Sequence, residues 1–266
     1  MSNEGFAPEW LALREKADAD ARATELLDYL RDSILNRSGV SVRDLGCGTG
    51  SMGRWLAGKL SGVRHVVLHD RDPRLLGLAE ASMSALGITV ETREGDLAAL
   101  KADDLAGADL VTCSALLDLL TADEMNALAA ACVHGGVPAL FTLSVAGRVE
   151  LTPAEPLDAA FQDAFNAHQR RVEGGRRLLG PDAPEAAAEA FAQLGADVRT
   201  APSPWRLGPD QAALTAEWLR GWVGAAVEQE PELAEQAGPY LERRLSGELN
   251  AVVHHIDLLA IPRVDR

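Results

Sequence analysis

Two periods of hydrophobic and polar positions alternate along this chain, and the switches between them outline its elements. From residue 8 to about residue 36 the apolar side chains fall at helical spacing, with Leu26, Leu27, Leu30, Ile34 and Leu35 on one side. On the same stretch Arg14, Asp18 and Arg22 stand at i, i+4 and i+8, a polar stripe that reads by default as a solvated, self-paired face. The pattern predicts one long N-terminal helix over 8–37, ended by Ser38-Gly39. Short strand-like runs then follow one another: "VSVRDL", "RHVVLHD", "ITVET", "ADLVTCSA" and "VPALFTLSV". Helical segments separate them. One leaves the glycine-rich stretch after Ser51, one opens at Asp72-Pro73 and stops at Gly87, and one opens at the capping box Thr121-x-x-Glu124 and stops at Gly135-Gly136.

The rhythm loosens after Gly147. Residues 155–172 read as a helix with Leu157, Phe161, Ala164, Phe165 and His168 on one face, and "VEGGRRLLGPDAP" reads as a loop. A helix follows from Asp182 to Leu194, then the strand "ADVRTA". Residues 209–247 are helical again, with Leu214, Trp218, Trp222 and Val223 together, and "LNAVVHHIDLLAI" closes the chain as a strand. Strands alternating with helices imply parallel βαβ units. The expected fold class is therefore α/β: a doubly wound, mostly parallel seven-stranded sheet with an N-terminal helix and a helical cap inserted late in the chain.

The candidate chemistry sits in "VRDLGCGTGSMG", Val42 to Gly53. A glycine turn between strand and helix brings bare backbone close to a ligand and aims helix N–H groups at it. Read as Gly46-x-Gly48-x-Gly50 it suits an S-adenosylmethionine loop. Read as Gly48-x-Gly50-x-x-Gly53 it fits a dinucleotide fingerprint. Asp70, at the end of the next strand, suits the ribose of either. Asp44 separates them: a carboxylate at the mouth of the first strand repels a pyrophosphate and favours an ammonium and a sulfonium. The chain also lacks a second complete βαβαβ half to hold a nicotinamide, and its end suits a hairpin-like pair of strands with helices inserted between.

The formal charge of -15 speaks against a surface built to hold a phosphate backbone. Cys47, Cys113 and Cys132 form no C-x-x-C, so a reduced, cytoplasmic setting is expected, with no metal, no membrane span and no signal segment.

"VRDLGCGTG", "VVLHDRDPRLLGLA", "EGDLAAL" and "ADLVTCSALLDLL", in that order, resemble the successive motifs of class I S-adenosylmethionine-dependent methyltransferases over about residues 40–145. Residues 195–263 resemble them in topology alone. The resemblance implies a single methyltransferase domain over 1–266. Its parts are the N-terminal helix (8–37), a cofactor-binding core (38–147), cap insertions (148–185 and 208–247) and the last two strands (195–207 and 248–263). It implies S-adenosyl-L-methionine as cofactor, with S-adenosyl-L-homocysteine as product. Asp44, Gly46, Cys47 and Gly48 would line the methionine moiety, and Thr49 and Gly50 would complete the turn. Asp70 would hold the ribose, with Arg71 near the adenine. Asp96 would meet the adenine amino group, Leu97 would pack on the ring, and Ser114 would approach the methionine end. N-terminal helices in the family often close over the cofactor, which makes Arg14 a candidate for the methionine carboxylate. No N-P-P-[YF]-like tetrapeptide follows the fourth strand. With the acidic charge, this points to a small-molecule acceptor rather than nucleic acid. The alternatives are an NAD(P)-dependent oxidoreductase and a non-catalytic, methyltransferase-like binding protein.

Several candidates also have structural readings. Asp72 is explained as a helix N-cap, and Gly53 as a helix residue packed closely against the sheet. Cys47 and Cys113 read as packed residues rather than nucleophiles. His254 and His255 are neighbours on a strand and point to opposite faces, so they share no metal, and His254 is carried as a catalytic candidate. His168 ends an apolar stripe and is either a satisfied core histidine or a general base in the acceptor pocket. Trp205, Trp218 and Trp222 form either an aromatic wall or cap core. The run "EQEPELAEQ" reads as a solvated surface.

Overall fold

The structure, a computed structural model, describes residues 6–33, 39–60, 62–96 and 100–263. Its N-terminal segment is two helices rather than one. α1 spans Pro8–Ala21 and α2 spans Leu26–Ser33, with Arg22 in an extended conformation between them (φ -55°, ψ 131°). The reason for the break is tertiary. The Ala23 N–H is taken by the carboxylate of Asp257, which removes it from the helical ladder. Ile34 and Leu35 lie outside the described residues.

The core follows as β1 (Val40–Leu45), α3 (Ser51–Lys59), β2 (Val63–Asp70), α4 (Pro73–Ser84), β3 (Thr89–Glu94), β4 (Leu110–Ser114), α5 (Ala122–His134) and β5 (Ala139–Thr152). The remainder is α6 (Leu157–Gln169), β6 (Val172–Glu173), β7 (Arg176–Arg177), α7 (Ala183–Gln193), β8 (Asp197–Pro202), β9 (Trp205–Leu207), α8 (Ala212–Gln229), α9 (Ala234–Ser246) and β10 (Asn250–Ile261). Two expectations change here. "VEGGRR", read as loop, makes a small β6–β7 hairpin. The sixth strand is broken at Ser203-Pro204 into β8 and β9, both paired to β10.

The main sheet runs β3-β2-β1-β4-β5-β10-β8. β1 to β5 are mutually parallel, and β10 lies antiparallel between β5 and β8. Strand order reverses at β1 and β4, so the crevice expected of an open α/β sheet lies beyond their C-terminal ends. One face is covered by α2, α3 and α4 through Leu27, Leu30, Met52, Leu56 and Met83. The other is covered by α5 and α7, where Phe191 packs on Phe141 at 5.7 Å. Burying each such ring contributes roughly 1.5–3 kcal/mol. A third core joins α1 to the cap around Phe161, Trp205, Trp222 and Tyr240. Among the described residues no helix is long and apolar enough to cross a membrane.

Candidate functional site

The glycine turn follows β1 directly. Gly46, Gly48 and Gly50 all take positive φ (61°, 54° and 86°), a conformation that L side chains rarely adopt. At Gly50 a Cβ would also lie 3.3 Å from the Cα of Ala79, which lets α3 and α4 close on each other. The turn is fastened to β2 by backbone and carboxylate together. Cys47 N–H donates to the His69 carbonyl at 2.9 Å, and Gly48 N–H donates to Asp70 Oδ2 at 2.9 Å. The other oxygen of Asp70 accepts from Asp72 N–H at 3.0 Å. Each carboxylate oxygen retains a further lone pair for a ligand hydroxyl. Asp72 caps α4 through Arg74 N–H at 2.9 Å, as expected of an N-cap. Thr49 serves by its carbonyl, which accepts from Arg54, while Arg54 is clasped by Glu15 of α1 at 2.8 and 2.7 Å.

Asp44 lies beneath the turn, 1% exposed. Thr112 Oγ1 donates to its Oδ1 at 2.7 Å, and its Oδ2 has no hydrogen-bond partner. Burial pushes this carboxyl up to about 6, against the pull of the Thr112 bond, the Arg22 charge and the Gly53 amide. Gly53 packs close to that oxygen and to Met83: a Cβ there would meet Met83 Sδ at 3.2 Å and Asp44 Oδ2 at 3.8 Å. It therefore serves the packing of α3. The loop is a poor pyrophosphate cradle, because a carboxylate lies below it and the Gly48 N–H is already committed to Asp70.

Arg22 is the site residue that sequence reasoning passed over. It is 3% exposed, and its guanidinium reaches three hydroxyl oxygens at the C-terminal edge of the sheet. These are Ser114 at 3.2 Å, Thr142 at 3.4 Å and Ser51 at 3.4 Å. It lies 5.4 Å from the centre of the Trp55 ring, and its Nη1 is buried with no partner. The stripe that seemed to hold Arg14, Asp18 and Arg22 on one solvated face is divided, because the helix stops before Arg22. Arg14 does pair with Asp18, at 2.9 Å. Asp18, however, is buried, accepts from Trp205 Nε1 at 2.9 Å, and fixes Arg14 at 4.9 Å from the Trp205 ring.

Backbone strain gathers at the same edge. Ala115, just past β4, and Leu143, within β5, are non-glycine residues with positive φ (52° and 58°). Ser114 Oγ receives a hydrogen bond from Thr142 Oγ1 at 3.0 Å and from Arg22, so the predicted Ser114 belongs to a joined polar cluster. Cys47 is buried, as are Cys113 and Cys132, and burial raises all three thiols. Arg71 and Asp96 stand exposed after β2 and β3, and Leu97 lies outside the described residues.

The histidines divide by face. His255 is buried, 5.4 Å from the Trp205 ring, and burial pushes its imidazole down to about 3. His254 points outward and hydrogen-bonds Glu150 at 2.8 Å. His168 is buried between α6 and α8, its Nε2 3.2 Å from Glu228, and burial lowers its pKa. Trp218 and Trp222 stack at 5.7 Å, and Trp222 packs on Phe161 within the cap core. Asp118, in the turn that leaves β4, is half-buried. Burial raises its carboxyl against the charges of Arg14 and Arg171. Beside this turn a cleft of about 590 Å³ opens between Thr121–Glu124 of the core and Arg170, Gly175 and Arg176 of the cap.

Residues 42–135 match a family model described as a methyltransferase domain. No curated protein matches the chain. Solved structures share the fold at low identity. YcgJ from Bacillus subtilis has 14% identity and a TM-score of 0.52, over 91% of this chain and 100% of its own. A candidate methyltransferase from Bacillus halodurans C-125 has 15% identity and a TM-score of 0.52, over 91% and 100%. YjhP from E. coli has 17% identity and a TM-score of 0.50, over 97% and 100%.

Proposed function

We propose that this chain, whose residues 42–135 are a class I S-adenosylmethionine-dependent methyltransferase domain, carries the methyl group to a small-molecule acceptor taken between the sheet and the helical cap. The observation that carries the reading is the polarity of the turn. A buried carboxylate, Asp44, lies under it, and Asp70 occupies its Gly48 N–H, so the site suits a cationic amino-acid end and a ribose rather than a pyrophosphate.

When bound, S-adenosylmethionine supplies a methyl group already activated by its sulfonium. The chain's own residues then have to position the acceptor and exclude water. In this reading Asp44, Gly46, Cys47 and Gly48 line the methionine end, with Thr49 and Gly50 closing the turn. Asp70 holds the ribose diol, and Arg71, Asp96 and Leu97 surround the adenine. A cleft of about 590 Å³ beside Thr121 is walled by both core and cap. An acceptor that must lose a proton needs a base. The ring of His168, the candidate for that role, is engaged with Glu228.

Titration calorimetry with S-adenosylhomocysteine and, separately, with NAD(H) tests the cofactor side. Binding of the thioether alone is expected, with Asp70→Ala weakening it by at least about tenfold, the scale of a lost charge-assisted hydrogen bond. Binding of NAD(H) alone overturns the reading.

A further inference from the structure

The sheet carries a charged patch on the face turned away from α3 and α4. Side chains alternate between the two faces along a strand. Val42 of β1 and Val66 and Leu68 of β2 belong to the core under α3 and α4. Arg43 and Leu45 of β1, His69 of β2, and Glu91 and Arg93 of β3 therefore share the opposite face, and the register sets Leu45, His69 and Arg93 side by side. The core under α5 and α7 reaches β1 at Leu45 and includes no residue of β2 or β3. Among the described residues, the link from β3 to β4 holds a single helical turn, Ala102–Leu105, and no longer helix to cover the patch.

Arg43 and His69 are nonetheless buried, 7% and 8% exposed. Arg43 Nη2 donates to the Ala106 carbonyl at 3.3 Å, while its Nε and Nη1 have no hydrogen-bond partner, and neither has His69 Nε2. A buried guanidinium costs several kcal/mol unless an anion and good hydrogen bonds compensate it. The acids around it are engaged elsewhere. Glu91 accepts from Arg93 Nε at 2.8 Å, and Asp104 accepts from the Lys101 amide at 2.9 Å. Arg43, Arg93, Glu91 and Asp104 are the charges that face the His69 ring, and burial together with the two guanidiniums pushes its imidazole down to about 4. His65, further along β2, is occupied with Ser41 at 3.0 Å. Glu91 and Arg93 stand partly exposed on the edge strand β3, so the patch reaches solvent on that side. The sheet itself separates it from the glycine turn: Asp44 lies on the α3 side, near Gly53, and the neighbouring Arg43 points the other way.

We infer that Arg43, His69 and Arg93 form a second binding site, one for a small oxyanion, a phosphate or a carboxylate group. Arg43 offers two free donor nitrogens, and guanidinium is well suited to oxyanions because it is always charged and planar. His69 donates through Nε2, and Arg93 supplies positive charge at the rim. The site uses neither Asp44 nor Asp70 and is independent of the cofactor reading above.

The test is a ¹H–¹⁵N magnetic resonance titration of the full chain, following the Arg43 Nε–H and the His69 ring nitrogens. Inorganic phosphate and acetate are added in separate series, with ionic strength held constant by chloride. Saturable shifts at both residues are expected, and the series in which they appear tells a phosphate from a carboxylate. In the bound form the His69 titration should move to higher pH, because a neighbouring anion favours the imidazolium. Arg43→Met is expected to fold, since it replaces a buried, unpaired cation by an apolar chain. Followed at His69, it should weaken the tighter-binding anion by at least about tenfold, the scale of a lost charge-assisted hydrogen bond. Absence of a saturable shift at Arg43 and His69 with either anion overturns the inference without recourse to any variant. So does a folded Arg43→Met that binds the anion as tightly as the wild type.

Discussion

The backbone N–H of Ala23 donates to Oδ2 of Asp257 at 2.9 Å, across 234 positions of sequence. Oδ1 of the same carboxylate accepts from the Leu143 amide at 2.7 Å and from the Ser203 hydroxyl. One fully buried acid in β10 therefore ends α1, holds β5 where its register against β10 shifts, and joins β8 to β9. The break after α1 is what turns Arg22 inward to the sheet edge.

Asp257→Ala leaves two amides and a hydroxyl without acceptors in a dry site. The expected loss is about 2–4 kcal/mol in urea unfolding, the range for breaking a buried hydrogen-bonded charge. A change within about 0.5 kcal/mol, the scatter of surface substitutions, would deny Asp257 this organising role.

Asp44 should make stability fall with rising pH. Its carboxyl titrates at about 6 when folded, against 3.8 as the ordinary value, so the folded chain keeps a proton that the unfolded chain has already released. Stability is therefore lost between about pH 4 and 6 and stays level above that window. Asp44→Asn is expected to stabilise the unliganded protein at pH 7–8 by on the order of 2–3 kcal/mol, with the gain vanishing towards pH 4. It should also weaken S-adenosylhomocysteine binding. Urea titrations at stepped pH give both the size and the window.

His255 should act in the opposite sense. Its imidazole is pushed down to about 3 from 6.5, so as pH falls the unfolded chain takes up the proton first. Stability is present above pH 6.5 and is lost as pH falls from there towards 3. His255→Phe keeps a ring against Trp205 and removes the titration. Between pH 6 and 4 the wild type should lose roughly 1.4 kcal/mol per pH unit relative to this variant. Parallel pH profiles would show that the imidazole does not titrate with folding.

His168→Ala removes a buried ring and its bond to Glu228. A loss of about 1–2 kcal/mol in thermal unfolding is expected, typical of truncating a buried side chain with one hydrogen bond, with S-adenosylhomocysteine affinity unchanged. Glu228 is 62% exposed at its side chain, so Glu228→Gln should cost no more than about 0.5 kcal/mol, the scale of exposed pairs. On the true acceptor, loss of turnover in His168→Ala without loss of stability would restore the histidine to the chemistry.

Much of the fold was legible because its signals are local. The alternation of strand and helix, the cap at Asp72, the capping box at Thr121 and the turn from Gly46 to Gly50 each depend on a few neighbouring residues, and each stands where the pattern placed it. The place of Asp44 at the end of β1, directly before the turn, was legible for the same reason. The adenine-side assignments of Arg71, Asp96 and Leu97 rest on resemblance alone.

The α/β class, the position of the glycine turn and the sign of the charge beneath it could be read from the chain alone, because period, glycine and carboxylate are local signals. Where α1 ends, and that Arg22 rather than Arg14 reaches the edge of the sheet, came from the folded chain. An isolated helix pattern runs straight through Arg22. Its interruption depends on an acid more than two hundred residues away competing for a single backbone N–H, and no local pattern records that competition.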